Sequence, residues 1–522
     1  MKIIENNESG KIKNTKEKEL YQDDIFKLAK NAGISGFGEV LGNIIGCASN
    51  ILITRRIGPN PFGIYILAST ILRVVCIFSV AGIESGFIRF VSLFHGRGDR
   101  ARVKGVILFG SKLVGLISLF FFLLLLFTSN FISNQIFHNP DLSPALMLLL
   151  ISLPFTTLMT IWLGGIQGFQ VIKYRVYVEK LFHPLSRLLF LILFFLLGMK
   201  LFGVILASIL SAVAGFFIAF WYLIKIYPVH KDQLPPIYEN RELIAFSLPV
   251  VFSTFFSFII RCIGLLMLGY FATAKDVGIY GVVDRVIPVI ILPLVSLNAI
   301  FLPMIAELYG KRDFTKLEGL YKIGTKWAIT LAFPIFLTLS IFARPILNIF
   351  GTAFTEGTTA LIILSISQMI WLSAGSCGPM LVMTGHQNLV LINDTFCALT
   401  NIALNYFLIA RYGIIGAAVA NTICIAAISI VEVIQVYYLF KIHPFRSDMV
   451  KPLGSGIFAS LFIFFLSRSD LINLSQINVF LLGVLIILFA GFYLASMLIL
   501  KISDEDRSVI NALLARLFLK WK

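Results

Sequence analysis

Fourteen apolar stretches recur along this chain, near residues 33–54, 62–83, 105–128, 144–166, 181–199, 203–224, 243–269, 278–300, 321–342, 358–384, 392–410, 415–438, 452–467 and 478–500. About 20 such residues cross a bilayer core as a helix, and the helix satisfies every backbone polar group that lipid leaves without water. The pattern therefore dictates an all-α polytopic membrane protein with 14 transmembrane helices. Composition removes the soluble alternative, because 13% of the residues are charged and 58% hydrophobic, where a soluble domain carries about 25% charge. The formal net charge of +16 does not point to nucleic acid, since the basic residues sit in short loops and no polar stretch is long enough for a separate domain.

The distribution of lysine and arginine sets the orientation. With the N-terminus inside, the inner segments hold 29 of the 43 basic residues and the outer loops 7, the asymmetry expected of a cytoplasmic N-terminus in a plasma-membrane protein. An even number of spans returns the C-terminus to the cytoplasm. Residues 1–32 read as a polar cytoplasmic tail without a cleaved signal peptide. The six cysteines lie in apolar segments without metal-type spacing and read as core-packing residues.

Internal similarity organises the chain. Gly63-Ile64-Tyr65 matches Gly278-Ile279-Tyr280 and Cys47 matches Cys262 at an offset of 215; Gly110-Ser111-Lys112 matches Gly324-Thr325-Lys326 at 214; Gly168-Phe169-Gln170 matches Gly385-His386-Gln387 at 217. Two six-helix repeats follow, an N-lobe over 33–227 and a C-lobe over 243–440, joined by a cytoplasmic linker at 228–242. Helices 13 and 14 (452–500) and a tail (501–522) lie outside the repeat. Six is even, so the repeats are parallel and related by a pseudo-two-fold axis along the membrane normal, an arrangement that in transporters puts the substrate between the halves.

Charges inside spans cost roughly 2.5–3.5 kcal/mol each at the bilayer centre on insertion scales and so face partners or water. Lys112, Lys326, Arg187 and Asp394 lie within about two turns of a cytoplasmic helix end, where snorkelling explains them. Arg73 lies near the middle of its span, and Arg261, Asp284 and Arg285 come at similar depth on two consecutive spans. A structural salt bridge between Arg261 and Asp284 is one reading of that cluster. On the first span Ser35, Glu39, Asn43, Asn50 and Thr54 fall within an arc of about 100°, and Thr254, Ser257 and Arg261 repeat that polar stripe on the seventh. Helix contacts through small polar residues are the alternative to a water-filled cavity. The cavity reading gives Arg73, Arg261, Arg285, Asn43 and Asn50 as substrate-binding candidates and Glu39 and Asp284 as ion-coupling candidates. Arginine suits a phosphate-bearing ligand, because its planar fork donates paired hydrogen bonds. Pro249, Pro288, Pro293, Pro334 and Pro379 are candidate kinks.

The segment RRIGPNPFGIYILASTILRVVCIFSVAGIESGFIRFVS (55–92), MTGHQN (383–388), NIALNYFLIARYGIIGAAVANT (401–422) and the 6+6+2 helix plan together resemble the Wzx-type polysaccharide flippases of the multidrug/oligosaccharidyl-lipid/polysaccharide exporter superfamily, which has the MATE-like fold. The resemblance implies alternating access and a polyprenyl-pyrophosphate-linked oligosaccharide as cargo. It also implies a proton or sodium gradient, or the membrane potential, as the energy source, with membrane lipids and glycan polymerase or glycosyltransferase machinery as partners. No cofactor is implied. Within the superfamily a lipid II-type flippase or an ion-coupled drug or small-metabolite exporter stands as the alternative, although a cation exporter calls for a more acidic cavity. An enzyme is not expected, because no loop between spans exceeds about 20 residues and none carries an Asp-x-Asp, phosphate-loop or zinc-protease motif. The tail KISDEDRSVINALLARLFLKWK either lies on the cytoplasmic leaflet as an amphipathic helix or is a soluble end.

Overall fold

The computed structural model describes residues 36–228, 234–468 and 479–499. Ser35, the two terminal tails and linker residues 229–233 therefore lie outside the described residues, as does the side chain of Ser257. All regular structure among the described residues is helical. Among the described residues nine helices are long and apolar enough to cross a bilayer, and eleven if each of two bent pairs counts as one span. Part of the difference from fourteen is one helix of 54 residues. At about 1.5 Å per residue it is far longer than a bilayer core of about 30 Å, and it breaks at Gly413, whose φ of 53° and ψ of −128° interrupt the helical path.

The chain divides into two compact units, residues 1–56 with 68–255, and residues 57–67 with 256–522. The first unit is built from α1 (Gly36–Ile57), α2 (Pro59–Val80) from Ala68 onward, its start belonging to the second unit, α3 (Ile83–Gly96), α4 (Arg100–Phe131), α5 (Leu142–Leu150), α6 (Leu153–Gly168), α7 (Ile172–Val176), α8 (His183–Leu196), α9 (Leu201–Ile226) and the first half of α10 (Asn240–Phe271). Its core brings together Ile83, Phe87 and Val91 of α3, Val103, Val106 and Ile107 of α4, Ile161 to Leu163 and Ile166 of α6, and Leu223 of α9. Asp99 caps α4 by accepting from the Arg102 N–H at 3.1 Å, which satisfies one of the first-turn donors. Linker residues 234–239 are strapped across this end of the first unit. The Ile237 N–H donates to the Ala101 carbonyl at 3.1 Å, Lys104 Nζ to the Leu234 carbonyl at 3.1 Å, and Arg102 pairs with Glu239 at 3.0 Å.

The second unit holds the rest of α10, α11 (Ala274–Val286), α12 (Leu292–Gly310), α13 (Phe314–Ile341), α14 (Ala343–Phe350), α15 (Thr358–Ser373), α16 (Cys377–Met383), α17 (Gln387–Phe440), α18 (Val450–Arg468) and α19 (Val479–Ile499). A capping box starts α11: Thr273 Oγ1 accepts from the Asp276 N–H, and Asp276 Oδ2 accepts from the Thr273 N–H. The prolines act in two ways. Pro288 falls in a 3₁₀ turn over Ile287–Ile291, with Pro293 in the first turn of α12. Pro379 lies in the first turn of α16, just beyond the break at Gly375. Pro249 and Pro334 sit inside α10 and α13.

Two repeated motifs acquire a physical meaning. The Gly110 of GSK packs against the Phe87 ring, and 214 residues on Gly324 packs against the Phe301 ring in the same way. The two Gly-Ile-Tyr motifs pack on each other. A Cβ on Gly63 would collide with the Ala274 carbonyl oxygen and one on Gly278 with the Pro59 carbonyl oxygen, so the starts of α2 and α11 touch backbone to backbone. Nearby, Gly281 seats the Ile66 side chain.

Gly63→Val and Gly278→Val are therefore expected to destabilise the second unit by about 1–3 kcal/mol through overpacking. Gly115→Ala, where nothing lies within 4 Å of the added methyl, is expected to leave the thermal unfolding midpoint of the detergent-solubilised protein unchanged. Equal midpoints for all three variants would contradict the contact.

Candidate functional site

In the second unit, the side of α10 that carries Gly264 meets α11 at Tyr280: a Cβ on Gly264 would lie 3.4 Å from the Tyr280 hydroxyl. Arg261 stands three residues before that contact and Asp284 four residues after it, on helices running in opposite directions through it. The structure thus brings Arg261, Asp284 and Arg285 to one level of the second unit. Arg261 and Asp284 are exposed and Arg285 is half-buried. The Arg285 guanidinium stands over the Phe62 ring, 5.2 Å from its centroid. Phe62 is fully buried and meets Phe354 edge to face at 6.1 Å. A cation over an aromatic face is held with about 0.5–2 kcal/mol, which fixes where the Arg285 guanidinium stands.

In the first unit, Arg73 is exposed on α2 although its span is apolar. On α1, Glu39 and Asn43 are exposed and Asn50 half-buried. Thr54 does not join the polar stripe; it is 1% exposed and donates within its own helix to the Ile51 carbonyl at 3.1 Å. Thr254 is exposed. Glu39 accepts an ion pair from Lys180 at 2.9 Å, which opens a network. Lys180 also contacts Glu179 at 3.3 Å, Arg175 contacts Glu179 at 3.0 Å and Glu84 at 2.6 Å, and Arg175 bonds Gln167. This network ties α1, the end of the α2–α3 corner, α6 and the α7 segment together. Burial pushes the Glu179 carboxyl upward, but Arg175 and Lys180 together outweigh it and hold the group below its ordinary value. Burial likewise lowers Lys180, and its bonds to Glu39 and Glu179 more than restore it, leaving the ammonium above its ordinary value.

Sequence reasoning did not see this network, because Glu84, Gln167, Arg175 and Glu179 are spread over 96 residues of loops and helix ends. Nor did it weigh the polar cluster in the second unit. There Asn401 and Asn405 are buried, Asn405 Nδ2 donates to the Asn401 carbonyl at 2.8 Å, and Tyr280 bonds Asn421. The i,i+4 spacing of Asn401 and Asn405 is the signal that could have found it. Of the charges that the sequence reading puts near helix ends, Lys112 is exposed, whereas Lys326 is 4% exposed and so packs inside the second unit.

With this geometry in place, comparison with known proteins decides the family. Residues 28–309 match the profile of the family described as polysaccharide biosynthesis protein. The chain belongs to that family. Residues 249–407 also match the MatE family. Among curated relatives, the chain is 25% identical over 324 residues to the capsular polysaccharide biosynthesis protein CapF of Staphylococcus aureus, a match covering 61% of this chain and 78% of that protein. It is 23% identical to the probable flippase AglR of Haloferax volcanii, covering 78% of this chain and 83% of AglR. Its fold is that of the lipid II flippase MurJ in an inward closed conformation, with a TM-score of 0.71 at 17% identity over 92% of this chain and 100% of that one.

Arg175→Ala is expected to leave Glu84 and Glu179 without their shared cation and to cost the first unit about 1–3 kcal/mol. Because Glu179 is held below its ordinary value, its stabilising contribution is present at neutral pH and is lost as the pH falls through its folded value. Thermal melts should therefore show wild-type stability dropping on acidification, with a smaller drop in Glu179→Gln. An identical acid response in the two proteins would sink this account.

Proposed function

We propose that this protein is a flippase that moves a polyprenyl-pyrophosphate-linked oligosaccharide from the cytoplasmic to the outer leaflet of the plasma membrane by alternating access, for polysaccharide or surface glycan biosynthesis. The observation that carries the reading is the level at which Arg261, Asp284 and Arg285 stand on α10 and α11, inside apolar spans, with Arg261 and Asp284 exposed and Arg285 half-buried. A pyrophosphate-linked sugar stripped of water faces a prohibitive cost in hydrocarbon. Exposed arginines within spans replace that water with charge-assisted bonds to phosphate oxygens. Family membership and relatives named for capsular polysaccharide biosynthesis and flipping agree with it.

In this proposal fourteen spans form two parallel six-helix repeats and a C-terminal pair, with both termini cytoplasmic. The recurrence of the Phe87–Gly110 contact at Phe301–Gly324 supports the repeat. Arg73, Arg261 and Arg285 bind the anionic head group, with Asn43 and Asn50 toward its sugars. Asp284 and Glu39 respond to a proton or sodium gradient. Transport leaves the bonds of the cargo intact, so no catalysis is involved; glycosyltransferases and a polymerase would act on the cargo before and after it.

Deleting the gene is expected to leave a lipid-linked oligosaccharide accumulated on the cytoplasmic leaflet and to deplete the surface glycan. Arg261→Ala and Arg285→Ala should each lower complementation about 10- to 100-fold, the loss of a bond to a charged group worth about 1.5–3 kcal/mol. Unchanged lipid-linked pools together with a loss of drug tolerance would refute the flippase reading and favour a drug exporter.

A further inference from the structure

We propose that Glu432, in the second half of α17, is a proton-exchange site at the cytoplasmic end of the second unit. Glu432 lies eight residues before the end of α17, about 12 Å along the axis, and is 7% exposed. Its carboxyl is pressed against the start of α16, where the Gly378 N–H donates to it. A Cβ on Gly378 would lie 3.0 and 3.2 Å from the two carboxyl oxygens, so a glycine is what allows so close an approach.

Among the described residues the groups that act on the Glu432 carboxyl are the Gly378 N–H and Asp394, and the buried Lys326 of α13 is not one of them. From α13 comes Tyr321, whose hydroxyl donates to the Ala374 carbonyl at 2.7 Å and lies 2.6 Å from Cys377 Sγ. From α16 comes Cys377 itself, and from the first half of α17 come Asp394 and Cys397. Helix α15 has no ionisable side chain. Helix α11 sets Tyr280 against α17 at Asn421, three turns away, and His386 stands edge-on to Phe440 two turns beyond. Among the described residues no salt bridge reaches Glu432, and the charge nearest to it is another carboxylate. Burying an ionised carboxylate without a cation costs far more than burying the neutral acid. Taking up a proton removes that cost, and giving it back restores a charge that the site resists. Asp394 is half-buried at the start of α17 and acts on the Glu432 carboxyl through its charge; in this proposal it relays a proton from water to Glu432, with no other bond made or broken. The neighbouring Asn393–Gln435 pair, bonded reciprocally at 2.8 and 2.9 Å, clamps the two halves of α17 beside the site.

The inference deepens the coupling step of the proposed function and rests on it only for its purpose; the site itself is testable without cargo. Infrared difference spectra of the purified full-length protein in lipid nanodiscs, recorded across a pH titration in light and heavy water, read protonated carboxyls directly. Wild type should show a deuterium-sensitive protonated-carboxyl band that disappears on alkalinisation. Glu432→Gln should lose that band, and Asp394→Asn should keep it. If Glu432→Gln does not fold, Glu432→Asp carries the test by shifting the band's frequency. A band unchanged in the Glu432 variants, a band lost in Asp394→Asn instead, or no titrating band in wild type, as expected were the carboxylate to hold sodium, would each overturn the proposal. None of these outcomes depends on which lipid-linked sugar is carried.

Discussion

Hydrocarbon tolerates no unsatisfied polar group, and every level of this structure answers to that constraint. It forces the backbone into helices, whose hydrogen bonds are internal. It then obliges each charge in a span to find a partner, an aromatic face or an opening. Arg285 takes an aromatic face, with Phe62 beneath its guanidinium. Glu39 takes a partner, Lys180. Glu432 takes neither a cation nor an opening, and this sets it apart from the other carboxylates of the described residues.

Lipid offers helices no hydrophobic reason to associate, so close packing through small residues has to supply it. The glycine contacts show how. Gly110 and Gly324 each accept a phenylalanine ring, and Gly63 and Gly278 accept one another's helix backbones. The repeated Gly-Ile-Tyr tripeptide is thus a packing surface used twice in one contact. The same logic places Gly378 under the Glu432 carboxyl, where backbone approach becomes a polar environment.

Much of the candidate site was legible because charges are conspicuous in apolar runs. Arg261, Asp284 and Arg285 stand out in the sequence, and counting residues from the helix ends puts them at similar depth; the structure adds the Gly264–Tyr280 contact that sits between them on α10 and α11. Glu84, Arg175 and Glu179 could not be connected in the same way. They lie in segments where charge is unremarkable, and only folding brings them to one cation. Glu432 was hidden for the opposite reason: its nearness to a helix end makes it look like one more snorkelling side chain, although burial shows that it points inward.

The sequence by itself determined the helical fold class, the repeated motifs and which apolar runs carry charge, because lipid reduces those questions to counting apolar residues and offsets. The tertiary structure alone decided which charges are partnered, which glycines touch, and that residues 57–67 pack with the second unit. Those outcomes depend on the rotation of each helix about its axis and on contacts between residues hundreds of positions apart. Hydropathy along a single chain carries no record of either.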